Sequence, residues 1–587
     1  MRIRFVHWLL VAGLVACAED PGTAHERDGM IADAALSADE GTRADGAIDP
    51  GNVSDADVSP DAGSLPGAAL FAPDHLIRVE VALSAEDWAL IRGEGRDLTG
   101  ALTGCERDFE YTYVSGRVTV DGETYEDVAV RKKGFLGSLS KLRPSLKLNF
   151  GRQVEGRTHD GMKRMTLNNN KQDPSNTHQC MAYALFTQAG AIAPRCNLAH
   201  VTVNGEDLGI YTHVESIKKP MLARHFADND GNLYEGQGAD FVAAHRADIE
   251  LKTNETENDR ADFDRLSAAL TVPDDQLLDA LGAIVDLDAF FTFWAMEVMT
   301  GHWDSYSGGR NNYLAYHDPT SGLFYFIPWG TDGAFSMQRP FTAENTAATV
   351  LAQGLIANRL YNHPQGRTTY FERLRALFEQ VWDQPALLAE ADRIGALTGA
   401  PQSFIDAQKA FIMSHGVAVT RELEAAPVEW FGGGPPGPLE CRADVATVAR
   451  GTFSTTWLSD NRPTPGQTVE MTVNRQPWMP DPLLGSAGLD QRDVDSAQIR
   501  YLSPQADGSF IILGLTIPLS SFKVGEHPMH GLETCGLMVR VDPQNPSGVI
   551  LVGFIGDGHI TLDDASTEEG GAVSGSFEGK LLQIRPF

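Results

Sequence analysis

Trp303-Asp304-Ser305-Tyr306, Asn311-Asn312-Tyr313 and Ile327-Pro328-Trp329-Gly330-Thr331-Asp332-Gly333-Ala334-Phe335 form the stretch on which the reading of this sequence turns. Asp304 follows an aromatic, apolar helix expected over 287–300. Asn311 and Asn312 open a strand expected over 311–316, and Asp332 follows one expected over 324–328 at a glycine-rich turn. Two carboxylates and an amide converging from strand ends suit a magnesium–phosphate site, because Mg²⁺ takes hard oxygen ligands and retains several waters. Three unrelated turns, with Asp and Asn as turn formers, account for the same residues as well.

Upstream, Leu76 to Leu83 alternates apolar and polar residues as a strand does, and Ser84 is placed to cap a short helix over 85–91. Segments 117–120 and 125–132 flank Asp121-Gly122, and segments 200–203 and 208–214 flank Asn204-Gly205, both hairpin turns. Strands over 145–150 and 164–167 and a helix over 175–189 lie between the hairpins. Arg131-Lys132-Lys133-Gly134, with Lys141, Arg143 and Lys147 beyond, can receive phosphates or can be a solvated basic face. Lys147 alternates with Leu146 and Leu148, and a cation on a half-buried strand needs an anion. Leu167-Asn168-Asn169-Asn170, Asp173 and Val214-Glu215 form a third polar group, in which Glu215 either orients a lysine or is an edge charge.

Downstream, helices are expected over 218–226, 259–270 and much of 367–425. Gly432-Gly433-Gly434-Pro435-Pro436-Gly437-Pro438 reads as a linker. Beyond it, strand-like runs at 498–502, 510–517, 536–541, 549–554, 572–577 and 581–584, separated by Gly, Pro and Asp turns, suggest a small β-sandwich or jelly-roll.

In order and spacing these pieces resemble the spore-coat protein H (CotH) kinase-like family over roughly residues 72–425. The matching series runs Arg131 to Gly134, Pro144 to Phe150, Met165 to Asn169, Val203 to Tyr211 and Glu215, Asn232 to Tyr234, Trp303-Asp304, Asn311 to Tyr313 and Ile327 to Phe335. The resemblance implies a divergent protein-kinase-like two-lobed domain; with the small all-β sandwich-like domain that the strand spacing suggests, the chain reads as α+β. It also implies use of ATP with Mg²⁺ or Mn²⁺. On it, Lys147 contacts phosphate with Glu215 as partner, Arg131 and Asn169 assist nucleotide binding, Asp304 is the catalytic aspartate, and Asp332 holds the metal with Asn311 or Asn312. The chain departs from the family in two respects. Family members often carry Trp-Asp-x-Asp where this chain has Trp329-Gly330-Thr331-Asp332, and no glycine-rich loop of the usual kinase form is evident.

The resulting organisation is a lipoprotein signal peptide over 1–17, an acidic tether over 18–68, the kinase-like domain over 69–430, a Gly/Pro linker over 431–440 and the β domain over 441–587. Arg2 and Arg4, a short apolar run and Leu14-Val15-Ala16-Cys17 make the lipobox, with Cys17 as the lipidated residue; an ordinary secretory signal is the alternative. The protein is accordingly expected in the bacterial cell envelope, lipid-anchored at the outer membrane or cell surface, acting on an envelope or surface protein. The tether, rich in Asp, Ala, Gly, Ser and Pro, cannot bury enough apolar surface to fold. A net charge of −32 argues against nucleic acid as a partner. Export permits disulfides: Cys441 with Cys535 is the preferred pair, and one of Cys105, Cys180 and Cys196 is left over. No GxSxG elbow or HExxH motif supports a hydrolase. A catalytically weak surface-binding lipoprotein on the same fold is the competing class.

Overall fold

The computed structural model describes residues 65–96, 109–135, 138–257, 259–336, 347–430, 432–439, 446–473, 476–478, 484–490, 493–529, 531, 533–542 and 545–583. The signal peptide with Cys17, nearly all of the tether, Cys105 and Cys441 lie outside the described residues. So the expected Cys441–Cys535 pair falls there too, although Cys535 itself is buried.

Seven strands close into a barrel: β1 (Ile77–Ala82), β2 (Val114–Val120), β3 (Glu123–Lys133), β4 (Ser145–Asn149), β5 (Arg164–Asn168), β6 (Cys196–Val203) and β7 (Glu206–Val214), in the order β1-β2-β3-β4-β5-β7-β6. Both hairpin turns form as the sequence expects. Asp121 and Gly122 (φ 48° and 89°) and Asn204 and Gly205 (φ 52° and 79°) adopt the paired left-handed conformations that suit the twist of a hairpin. A parallel pairing of β1 with β6, Val79 opposite Val201, closes the ring. Val79, Val118, Val130, Leu148, Met165 and Val201 fill its interior with no exposed surface. Truncating one of these large side chains costs about 2–4 kcal/mol.

Helix α1 (Ala85–Gly93), capped by the Ser84 side chain accepting from the Asp87 N–H, packs Trp88 and Ile91 into this core. Lys132 Nζ donates to the carbonyls of Arg92 (3.1 Å) and Glu94 (2.7 Å) at the C-terminal end of α1, where cations are favoured. Burial pushes that ammonium down to about 8. Residues 65–73 also belong to the folded body: Leu70 is part of the barrel core, and the Asn197 amide donates to the carbonyls of Leu70, Ala72 and His75.

Helix α2 (His178–Gln188) is joined to β6 by a disulfide between Cys180 and Cys196, their Cα atoms 5.1 Å apart. The second lobe follows. It holds an antiparallel sheet of β8 (Asn232–Gly236), β9 (Glu250–Leu251), β10 (Tyr313–His317) and β11 (Phe324–Pro328), in the order β11-β10-β8-β9. Around it pack α3 (Lys219–Leu222), α4 (Ala261–Ala269), α5 (Asp274–Gly282), α6 (Leu287–Met299), α7 (Tyr306–Gly309), α8 (Leu355–Asn362), α9 (Pro364–Val381), α10 (Gln384–Thr398) and α11 (Gln402–Glu424). One continuous core joins α2, the sheet and these helices. The expected helix over 218–226 shrinks to α3, and the expected 175–189 helix starts later, at His178.

The C-terminal region differs from the sandwich that its strand spacing suggests. β12 (Ala446–Thr456), β13 (Thr464–Pro465), β14 (Thr468–Val473), β15 (Gln476–Trp478), β16 (Leu484–Asp490), β17 (Asp493–Pro504), β18 (Phe510–Pro518), β19 (Gly525–Pro528), β20 (Cys535–Asp542), β21 (Asn545–Ala565) and β22 (Ala572–Gln583) belong to one antiparallel sheet, not two stacked ones. The sheet coils until Trp457, just past β12, bridges to Ala487 on β16, so it approaches a half-barrel around Phe453, Ile499, Leu513, Ile555 and Phe577. Turn residues such as Gly579 sit inside β22, which merges the two runs expected at 572–577 and 581–584 into one strand.

Candidate active site between the lobes

Strand alternation sends odd-numbered residues of β3 and β4 to the outside of the barrel, because Val128, Val130, Leu146 and Leu148 fill the inside. Arg131 stands opposite Lys147, and Lys133 opposite Ser145. The three cations thus share one barrel face. Arg131 lies 5.2 Å from the Tyr113 ring and donates to the Lys132 carbonyl. Lys133 Nζ donates to Asn168 Oδ1 at 2.5 Å and lies 5.7 Å from the Trp329 ring. Lys147, only 2% exposed, lines a cavity of about 20 Å³ with Ser216, Ile217, Glu235, Lys252, Leu314 and Trp329. That cavity lies where β7 leads into the second lobe, and Lys252 there pairs with Glu235 at 3.0 Å and Glu250 at 2.9 Å.

Glu215 follows Val214 and is clamped elsewhere. Arg195 binds one carboxylate oxygen at 2.8 Å, Arg224 binds the other, and the Arg195 N–H adds a third bond at 3.1 Å. It anchors the exit from the barrel. Asn169 is similarly committed: its amide donates to the carbonyls of Ser138 (2.8 Å) and Arg143 (2.5 Å), and its oxygen accepts the Lys171 N–H at 3.2 Å. Its role in the structure is to fix the loop between β3 and β4.

Asp304 is held from both sides. Asn311 Nδ2 donates to Oδ1 at 3.1 Å, and Asn312 Nδ2 donates to Oδ2 at 2.7 Å and to the Asp304 carbonyl at 3.0 Å. The loop that carries Asp304 is itself pinned by Glu297, whose carboxylate accepts the N–H groups of Tyr306 (3.2 Å) and Ser307 (2.9 Å). Burial drives Glu297 up to about 7, against the lowering effect of those donors.

Backbone strain gathers here. Arg310, Asn312 and Phe335 all have left-handed φ (59°, 47° and 54°), a conformation non-glycine residues keep only when the surroundings enforce it. Gly330 shows one of those constraints: with φ +51°, a Cβ there would lie 2.5 Å from Asn312 Oδ1. The Asn312 side chain fills the space that a side chain at position 330 would need. Gly333 brings the next turn against Asp304: its Cβ position is 3.3 Å from the Trp303 indole nitrogen and 3.5 Å from the Asp304 Cβ.

Asp332, beside Gly333, is half-buried, and loss of water pushes its carboxyl up to about 6. Lys133 and His178 act against that rise and Asp173 adds to it. His178 Nδ1 also meets the Asp332 carbonyl oxygen at 2.8 Å. Among the described residues no three His, Cys, Asp or Glu side chains converge as a preformed metal cluster. Two features nonetheless fit a divalent cation. Asn311 Oδ1 is buried with no hydrogen-bond donor, and Asp332 is a desolvated carboxylate near the same turn. A hard cation with its own waters takes such oxygens.

The structure therefore brings Asp304, Asn311, Asn312 and the Asp332 turn together, with Lys133 and Lys147 on the barrel face. Glu297 was readable as the one ionisable side chain on the later turns of an otherwise apolar helix, and Lys133 from its even spacing with Arg131. Glu235, Lys252 and His178 gave no such sign, because only tertiary pairing makes them matter.

Residues 130–404 match the family described as CotH kinase protein. The chain is 27% identical to the inner spore coat protein H of Bacillus subtilis over 40% of its own length and 69% of that protein. Spore coat protein homolog 1 of Rhizopus delemar is 24% identical, over 37% of this chain and 38% of that one. Invasin CotH7 of the same organism is 23% identical, over 37% and 39%. The chain thus spans well under half of those Rhizopus proteins. The crystal structure of the Helicobacter pylori proinflammatory kinase CtkA aligns with 47% of this chain and 90% of that one at 8% identity, but its TM-score of 0.26 does not establish a shared fold. Residues 130–404, a little under half of the chain, thus carry the similarity to the CotH kinase family that the Bacillus and Rhizopus relatives share.

Proposed function

We propose that this protein is an atypical kinase that transfers the γ-phosphate of ATP to Ser or Thr hydroxyls of envelope or surface proteins while held at the bacterial envelope through a lipid on Cys17. The observation that carries the proposal is the doubly anchored Asp304, oriented by the amides of Asn311 and Asn312 and set beside the Asp332 turn. A carboxylate in that state accepts a hydrogen bond from an incoming hydroxyl and aligns its oxygen for in-line attack. Lys147 and Lys133 supply positive charge on the opposite wall, where phosphate oxygens carry the developing negative charge. Asp332 and Asn311 Oδ1 would hold Mg²⁺ or Mn²⁺, which neutralises phosphate charge when bound. Glu215 and Asn169 hold the barrel exit and the β3–β4 loop in place.

One observation favours the competing reading, a surface-binding protein that reuses the fold. The cavity at Lys147 is about 20 Å³, room for one water and far too small for a nucleotide unless the lobes part around Ser216 and Ile217. Titrating residues 65–587 with ATP and Mn²⁺ separates the two. The kinase reading expects saturable binding and phosphate incorporation into an acceptor such as casein, both weakened by Asp332→Ala, with incorporation abolished by Asp304→Ala. Absence of binding and incorporation in the wild type refutes it.

A further inference from the structure

The glycine-rich segment after α11 is not a free linker. Asn358 Nδ2 donates to the Gly432 carbonyl at 2.8 Å, Arg310 donates to the Gly434 carbonyl at 3.0 Å, and His245 Nε2 meets the Gly437 carbonyl at 2.7 Å. Gly432 and Gly433 are required by closeness: a Cβ on Gly433, whose φ is +82°, would lie 2.5 Å from Asn358 Nδ2 and 2.6 Å from the Ala352 carbonyl, and one on Gly432 would lie 2.7 Å from Gln353 Nε2. The segment is a strap pressed onto the second lobe. It lies beyond residue 404, outside the region that matches the family.

Arg310 is where the strap meets the site. Its Nε donates to the Gln353 carbonyl at 3.0 Å and stands 3.5 Å from the buried Asp240 carboxylate, which also accepts from the Tyr306 hydroxyl and the Leu355 N–H. Arg310 directly precedes Asn311 and Asn312, and its own backbone is left-handed at φ 59°. Gly309, on its other side, has its Cβ position 3.8 Å from Asp304 Oδ1. A left-handed arginine persists only while its surroundings hold it, and the strap carbonyl is one of the three acceptors that do so.

We infer that Arg310 is a positioning residue for Asp304, and that the Gly432–Gly437 strap is the part of this chain that holds it in position. The inference rests on the kinase reading for the meaning of Asp304. The strap itself lies where the second lobe hands over to the C-terminal β domain. With the strap lifted, Arg310 relaxes, Asn311 and Asn312 move with it, and Asp304 loses its amide donors while the lysine face and the Asp332 turn stay intact. Turnover then falls furthest, and affinity for the metal-bound nucleotide falls by a smaller factor, through Asn311.

The test uses residues 65–587 with Gly433→Ala, and Asn358→Ala as a second variant should the first not fold. Hydrogen exchange of the peptide spanning 302–316 is read beside ATP–Mn²⁺ kinetics. The inference expects exchange in that peptide to rise by about fivefold or more, and kcat to fall by about tenfold, with KM for ATP–Mn²⁺ rising by a smaller factor. Unchanged exchange in a folded variant overturns it, and so does a wild-type kcat despite raised exchange. A wild type that transfers no phosphate refutes the kinase reading instead, and the exchange comparison alone then upholds or overturns the strap.

Discussion

Asn312 Nδ2 lies 2.7 Å from Asp304 Oδ2, and the asparagine that makes this bond holds a left-handed backbone at φ 47°. Strain and hydrogen bond belong to one device: the unusual backbone turns the amide back onto a carboxylate eight residues earlier. Asn312→Asp sets a second carboxylate against the first. Turnover should fall by about 100-fold, as for loss of a preorganised donor, with only a small change in KM for ATP. Steady-state kinetics beside Asn312→Ala check this.

Gly330→Ala makes the same point from the other side. The added methyl meets the Asn312 side chain, and φ +51° disfavours any Cβ. A loss of about 1–3 kcal/mol in stability and a drop in turnover are expected, read by thermal denaturation and phosphate incorporation. Wild-type values in both would show that the Asn312 position is not constrained by this contact.

Asp332 and Glu297 give the pH dependence its sign. Burial raises Asp332 to about 6 and Glu297 to about 7, so the folded protein holds these protons more tightly than the unfolded chain. Their contribution is present in full below about pH 4 and is lost as pH rises through 6 and 7, with each shift worth about 3 kcal/mol. Asp332→Asn should therefore stabilise the ligand-free protein at pH 7.5 and have little effect at pH 4. The melting rise given by Mn²⁺ at pH 7.5 should be smaller at pH 5, where protons compete, and absent in Asp332→Asn. A melt series over pH and Mn²⁺ reads all three.

Glu215→Gln tests whether that carboxylate is structural. It leaves Arg195 and Arg224 facing a neutral group in a buried setting, which costs about 3 kcal/mol. The expected result is a lowered melting temperature with kcat per folded molecule close to wild type. A selective loss of kcat with unchanged melting would assign Glu215 to the chemistry.

The Cys180–Cys196 disulfide closes a 16-residue separation between α2 and β6, for which chain entropy gives about 3 kcal/mol. A reductant should lower the melting temperature of the wild type and leave Cys180→Ser/Cys196→Ser unmoved.

Local rules made much of the first lobe legible. Asp121-Gly122 and Asn204-Gly205 fix their turns by residue type, and Ser84 fixes the start of α1. The convergence of Asp304, Asn311, Asn312 and Asp332 could be suspected from their places at element ends. Closure of the barrel could not, because it depends on Val79 meeting Val201 across the chain, which no local pattern encodes. The glycine run at 432–437 misleads for a related reason. Composition alone makes it a loose linker, yet Gly432 and Gly433 serve close contact with a lobe that the pattern does not show. In the C-terminal region, alternation located strands but could not say whether the sheet would stack on a second one or coil on itself.

A closed ring of strands leaves no unpaired ladder of N–H and C=O groups along its side, so the first lobe offers no template on which a foreign strand can add. The C-terminal sheet differs in that respect: its order runs from β13 to β15, and both are outermost strands. Recruitment of another polypeptide by backbone pairing, and accidental pairing between copies of this chain, are therefore kept from the barrel that carries the lysines and left to sheets with open ends, of which the C-terminal one is the larger.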